Sequence, residues 1–145
     1  MPVNVKKIVL WRTEVDNKPG ALASTIEPSA KAGADFQVVM GYRHPSAPGR
    51  AAIEVFPVKG KRLANAAGAA GLSAASIPAL LVEGDNKPGL GYQIAQGLAA
   101  SGINIAFFVG QVIGRKFSAV IGFETEDDAK MAAPAIKKAA RTGKA

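Results

Sequence analysis

The sequence Asp-Asn-Lys-Pro-Gly stands at residues 16–20 and again at residues 85–89. Such a recurrence makes the chain a duplication, so each half is expected to fold as the same small unit. At that offset of 69, register holds without a gap from residues 16–41 onto 85–110. Eight of these 26 positions are identical: the pentapeptide, Ala30/Ala99, Gly33/Gly102 and Gly41/Gly110. Beyond them only a hairpin differs in length, Ala52-Ile-Glu-Val-Phe56 matching Ala119-Val-Ile-Gly-Phe123 at an offset of 67.

Period and punctuation give the elements of each half. The β-branched and aromatic run 7–15 predicts a strand, and the apolar run 79–83 is its counterpart. Each pentapeptide is followed by apolar residues at helical spacing, closed by Gly33 or Gly102. Residues 36–40 and 103–109 predict the next strands, and 51–56 and 116–123 their antiparallel partners. Residues 59–70 and 126–140 predict second helices, the latter begun by a capping-box pattern, Thr125 with Asp128. Residues 72–77 offer a last strand in the first half only. The expected class is α+β: two ferredoxin-like βαββαβ sandwich units in tandem, residues 1–76 and 77–145, the second lacking its last strand. Pro28 and Gly97 weaken the first helix of each unit at the same place.

Proline is favoured at the first position of a helix, which makes Lys18 and Lys87 the expected N-caps. Lysine has no side-chain acceptor, so the backbone donors of Gly20, Ala21 and Leu22, and of Gly89, Leu90 and Gly91, are expected to face a ligand. The helix dipole favours an anion there, and glycine permits its close approach. Asp16-Asn17 and Asp85-Asn86 supply oxygens for an ammonium group, so an α-amino acid fits the turn better than a phosphate. The competing explanation is ordinary turn chemistry, in which Asp and Asn bond their own backbone.

The order strand, Asp-x-x-Pro-Gly, amphipathic helix, then Gly102-Ile103-Asn104-Ile105 opening a strand, resembles the ACT domain, a small regulatory module of amino-acid-metabolism enzymes. The second half matches best over residues 79–123, and the first, with Gly33-Ala-Asp-Phe36, is a looser copy. The resemblance implies a stand-alone tandem protein, a non-catalytic regulator binding an amino acid. It carries a binding role onto Asp16, Asn17, Gly20, Ala21 and Leu22, onto Asp85, Asn86, Gly89, Leu90 and Gly91, and onto Asn104 and Ile105. It also implies side-by-side pairing of units, a homodimer and a regulated enzyme partner.

Other classes fit poorly. The single histidine, His44, has no catalytic companions. With no cysteine the chain offers neither thiol chemistry nor a zinc ligand set, so no cofactor or metal is expected. The net charge of +7 is scattered, which suits solubility as well as acidic partners. Nucleic-acid binding on this topology needs outward aromatics on central strands. Phe107 and Phe108 are adjacent and point to opposite faces, and Tyr42 with Arg43 adds one more ring. Nucleic acid is therefore disfavoured, and an ACT-like scaffold without a ligand is the other reading. No apolar run approaches the ~20 residues of a membrane helix and the start lacks a signal-peptide pattern, so a cytoplasmic location is expected.

Overall fold

The computed structural model describes residues 3–142 and divides the chain into two compact units. One is Val9–Ser76, in which β2 (Trp11–Asp16), α1 (Ala21–Lys31), β3 (Val38–Arg43), β4 (Arg50–Phe56), α2 (Lys61–Ala69) and β5 (Ser73–Ala74) follow in order. The other joins β1 (Val3–Ile8) to β6 (Ala79–Asp85), α3 (Leu90–Ala100), β7 (Ile105–Ile113), β8 (Lys116–Phe123) and α4 (Glu126–Thr142). Each holds a four-stranded antiparallel sheet, ordered β3-β4-β2-β5 and β1-β6-β8-β7. These are two ferredoxin-like α+β units in tandem.

The expected single strand over residues 7–15 is two strands in two sheets. β1 pairs antiparallel with β6, from Val3↔Gly84 to Ile8↔Ala79, in the position beside the unit's first strand that β5 takes in the other sheet. Val3–Ile8 thus belong with the second unit rather than with the first, where the 1–76 division had put them. Among the described residues nothing strand-like follows α4, and the missing strand is supplied by the start of the same chain. The reason is burial. Val3 is 6% exposed and belongs to the core of that unit, with Val5 packed against it. Burying such a side chain contributes about 1.5–3 kcal/mol. By contrast β5 brings only Ser73 and Ala74 to its own sheet.

Register corrects the hairpin alignment. Glu14 faces Ala52, and its repeat partner Glu83 faces Ser118, so the offset is 66 rather than 67. A one-residue slip moves every side chain to the other face. Ile53 and Val55 pack under the helices with Ala67 and Leu72, and Ala119 and Ile121 do so in the second unit with Ile94, Leu98 and Ile136.

Both first helices end as expected. Gly33 and Gly102 take left-handed backbone, with φ 87° and 73°. Ala34 and Ile103 N–H groups donate back to the Ser29 and Leu98 carbonyls at 3.0 Å, a Schellman closure. Asp128 N–H donates to Thr125 Oγ1 at 3.0 Å, the expected cap of α4. Gly97 has a packing reason, since a Cβ there would stand 2.6 Å from that of Ala139. Pro28 lies within α1, which continues to Lys31.

Candidate functional site

The two pentapeptides adopt one geometry, and it differs from the expected helix start. Ala21 N–H donates to Lys18 O at 3.2 Å, and Leu90 N–H to Lys87 O at 3.2 Å. The third residue of each turn is a left-handed glycine, Gly20 with φ 85° and Gly89 with φ 81°, and that glycine is the N-cap. With proline second and such a glycine third, each is a type II turn. Lys18 and Lys87 are therefore not N-caps, and the donors of Ala21 and Leu90 close the turn rather than face a ligand. Ser24 and Gln93 N–H groups donate to the Gly20 and Gly89 carbonyls. Leu22 and Ala23, like Gly91 and Tyr92, thus carry the donors at the helix end.

Asp16 and Asp85 face the basic residue that opens the neighbouring strand, Arg50 and Lys116 respectively. Arg50 Nη1 donates to Asp16 Oδ1 at 2.7 Å while Nη2 reaches Glu14 O at 3.1 Å. Lys116 Nζ donates to Asp85 Oδ1, and this hydrogen bond, with the lysine's charge, holds the Asp85 carboxyl below its ordinary pKa. Asn17 and Asn86 backbone N–H groups donate to the hairpin carbonyls of Gly49 and Arg115, at 3.0 and 2.8 Å. In both units Asp and Asn thus tie the turn to the hairpin.

In the Val9–Ser76 unit this arrangement leaves a cleft of about 460 Å³ between the turn and strands β3 and β4. Asn17, Lys18, Gly20, Ala21, Leu22 and Ala23 form one side, and Gly41, Tyr42, Arg43 and Ala51 to Ile53 the other. Of the expected residues it gathers Asn17, Gly20, Ala21 and Leu22, with Asp16 bound to Arg50 beside them. Leu22 covers Gly41, where an added Cβ would meet its side chain at 3.5 Å. Lys18 and Arg43 make the cleft cationic. Asn17 Nδ2 is turned to Pro48 O at 3.4 Å, which leaves Oδ1 as an acceptor.

The far wall is braced from the helix-free face of the sheet. Tyr42 Oη donates to Oε2 of the buried Glu54 at 2.6 Å. Burial, reinforced by this bond, raises the Tyr42 pKa. Arg12 Nε lies 3.9 Å from the same oxygen, and its Nη1 donates to Glu14 at 2.7 Å, holding the Glu14 carboxyl below its ordinary pKa. His44 Nε2 stands 3.5 Å from Glu14 in the hairpin.

The second turn is furnished differently. Leu90 is 2% exposed and belongs to the core, where the first unit has Ala21. Lys87 Nζ donates to Ala140 O at 2.9 Å. Asn104 and Ile105 lie at the opposite end of β7 from this turn. The length of that strand, roughly 25–30 Å at the rise of extended backbone, separates them from it. Asn104 Nδ2 donates to Glu124 there, and Ile105 packs on the core, so within their own unit they are not brought to residues 85–91. Phe107 lies against Gly122 and Phe108 against the core. Among the described residues no cluster of three or more His, Asp or Glu side chains could hold a metal ion, and no helix is long and apolar enough to cross a membrane.

Tyr42, Arg43 and residues 51–53 line the cleft without having been expected to. Gly41, identical in the repeat as Gly110, was the one signal in the sequence pointing to that strand.

No protein-family model matches the sequence, and no curated protein matches it. Solved structures do. A protein from Bacteroides thetaiotaomicron is 14% identical with a TM-score of 0.74, covering 92% of this chain and 89% of that one. The ligand-free regulatory subunit of aspartate kinase from Thermus thermophilus is 16% identical with a TM-score of 0.64, covering 96% and 97%. Aspartate kinase from Clostridium acetobutylicum is 16% identical with a TM-score of 0.57, over 97% of this chain and 34% of that one. At these identities the likeness establishes the fold alone, one shared with the regulatory subunits of aspartate kinase.

Proposed function

We propose that this chain is a non-catalytic regulatory protein that senses a small carboxylate-bearing molecule, an amino acid, in the cleft of its Val9–Ser76 unit. The observation that carries the reading is the cleft itself, which combines the open end of α1 with Lys18, Arg43 and a wall of small side chains. Its volume lies in the range of small-molecule sites. The ligand carboxylate takes the Leu22 and Ala23 N–H groups with Lys18 and Arg43, and its ammonium group takes Asn17 Oδ1. Asp16 orders the turn through Arg50 rather than touching the ligand. The braced Tyr42 keeps the opposite wall in place before binding. The fold shared with aspartate kinase regulatory subunits supports a role beside an enzyme partner; the homodimer and the cytoplasmic location belong to the same proposal.

The test is a thermal-shift screen of the twenty amino acids, one at a time. Binding stabilises by about 2.7 kcal/mol at a hundredfold excess over Kd, so at least one amino acid raises Tm by several degrees. Arg43→Ala removes that shift. No shift with any amino acid overturns the reading in favour of a scaffold without a ligand.

A further inference from the structure

The duplicated turns have the same backbone, yet the helix that follows each hairpin differs. α4 runs over Glu126–Thr142 where α2 covers only Lys61–Ala69. That difference makes α4 longer by about 12 Å at the rise of an α-helix. α2 stops early, in a glycine turn at Gly71 (φ 90°) with Leu72 N–H on Ala67 O at 3.0 Å. α4 runs on, close against α3 at Gly97 and Ala139, and brings its final turn to residue 87. There Lys87 Nζ donates to the Ala140 carbonyl, in the last described turn of the helix, at 2.9 Å. A cation at a helix C-terminus is favoured by the dipole as well as by the hydrogen bond. Lys18, the same residue in the first repeat, lines the cleft instead.

We infer that the two turns have divided their work. Residues 16–20 serve the ligand, and residues 85–89 form a clamp in which Lys87 holds the end of α4, so the chain takes one ligand rather than two. The stoichiometry rests on the ligand reading above; the clamp does not. Hydrogen exchange followed by NMR tests the clamp without any ligand. Lys87→Met speeds exchange of the α4 amides at residues 136–141 by about tenfold or more, the scale of a lost charge-assisted hydrogen bond, while Lys18→Met leaves them unchanged. Unchanged exchange in Lys87→Met, or equal effects of the two variants, overturns the clamp. Titration with acetate at constant ionic strength tests the division, with shifts expected at Gly20, Leu22 and Ala23 and none at Gly89, Gly91 and Tyr92. Equal shifts at both turns overturn the division. Shifts at neither overturn the ligand reading and the single-site stoichiometry with it, leaving the exchange result to decide the clamp.

Discussion

Replacing Gly20 by alanine separates the observed turn from the helix start that the sequence implies, because the two predict opposite signs. With Pro19 as the first helical residue, Gly20 lies inside the first turn of the helix. Alanine there stabilises by about 0.5–1 kcal/mol, since glycine loses more freedom on folding. In the structure Gly20 has φ 85° and ψ -4°. An L side chain in that left-handed region costs about 1–2 kcal/mol. An added Cβ meets no atom within 4 Å, so the cost is conformational and free of a clash. Gly20→Ala is therefore expected to lower stability by about 1–2 kcal/mol, and Gly20→Asn, which tolerates left-handed backbone, by less. Gly89 has the same conformation. The two turns share no residue, so the double alanine variant loses about 2–4 kcal/mol. Urea unfolding followed by circular dichroism reads the change as a lower midpoint at constant m. A midpoint that rises in Gly20→Ala refutes the type II turn and restores Lys18 as the cap.

Three further outcomes are expected. The Asp85 carboxyl is depressed in the folded state, so its pairing with Lys116 contributes fully above the unfolded pKa and is lost as pH falls through the lower folded value. Lys116→Met moves the Asp85 titration upward in carboxyl-detected NMR, and an unmoved titration contradicts the pairing. Gly97→Ala places a methyl 2.6 Å from the Ala139 Cβ. It is expected to destabilise by about 1–3 kcal/mol, although alanine is the better helix former; a gain in Tm refutes the close approach of α3 and α4. Deleting residues 1–8 removes β1 from β6, so hydrogen exchange is expected to accelerate in β6 while β4 keeps its protection; the reverse pattern contradicts the strand assignment.

Duplication, βαββα order, glycine-closed helices and the Thr125 cap were legible in the sequence because each rests on local patterns. The pentapeptide, the spacing of apolar residues, left-handed glycines and a hydroxyl three residues before an N–H all act within a few positions. The cleft was half legible. Its turn side was evident at Asn17, Gly20, Ala21 and Leu22, whereas Tyr42, Arg43 and residues 51–53 reach it only through strand pairing.

What the sequence alone determined is the unit and its repetition. Tertiary structure decided which strand completes which sheet, because β1 and β5 take equivalent edge positions, and β1 brings Val3 and Val5 to the core of the second unit. It also decided that Asp16 and Asp85 tie turn to hairpin, since their partners Arg50 and Lys116 stand far along the chain and arrive by strand pairing. The unequal use of two identical pentapeptides comes from the same source: Lys18 and Lys87 differ in nothing local, and the reach of α4 to Lys87 sets them apart.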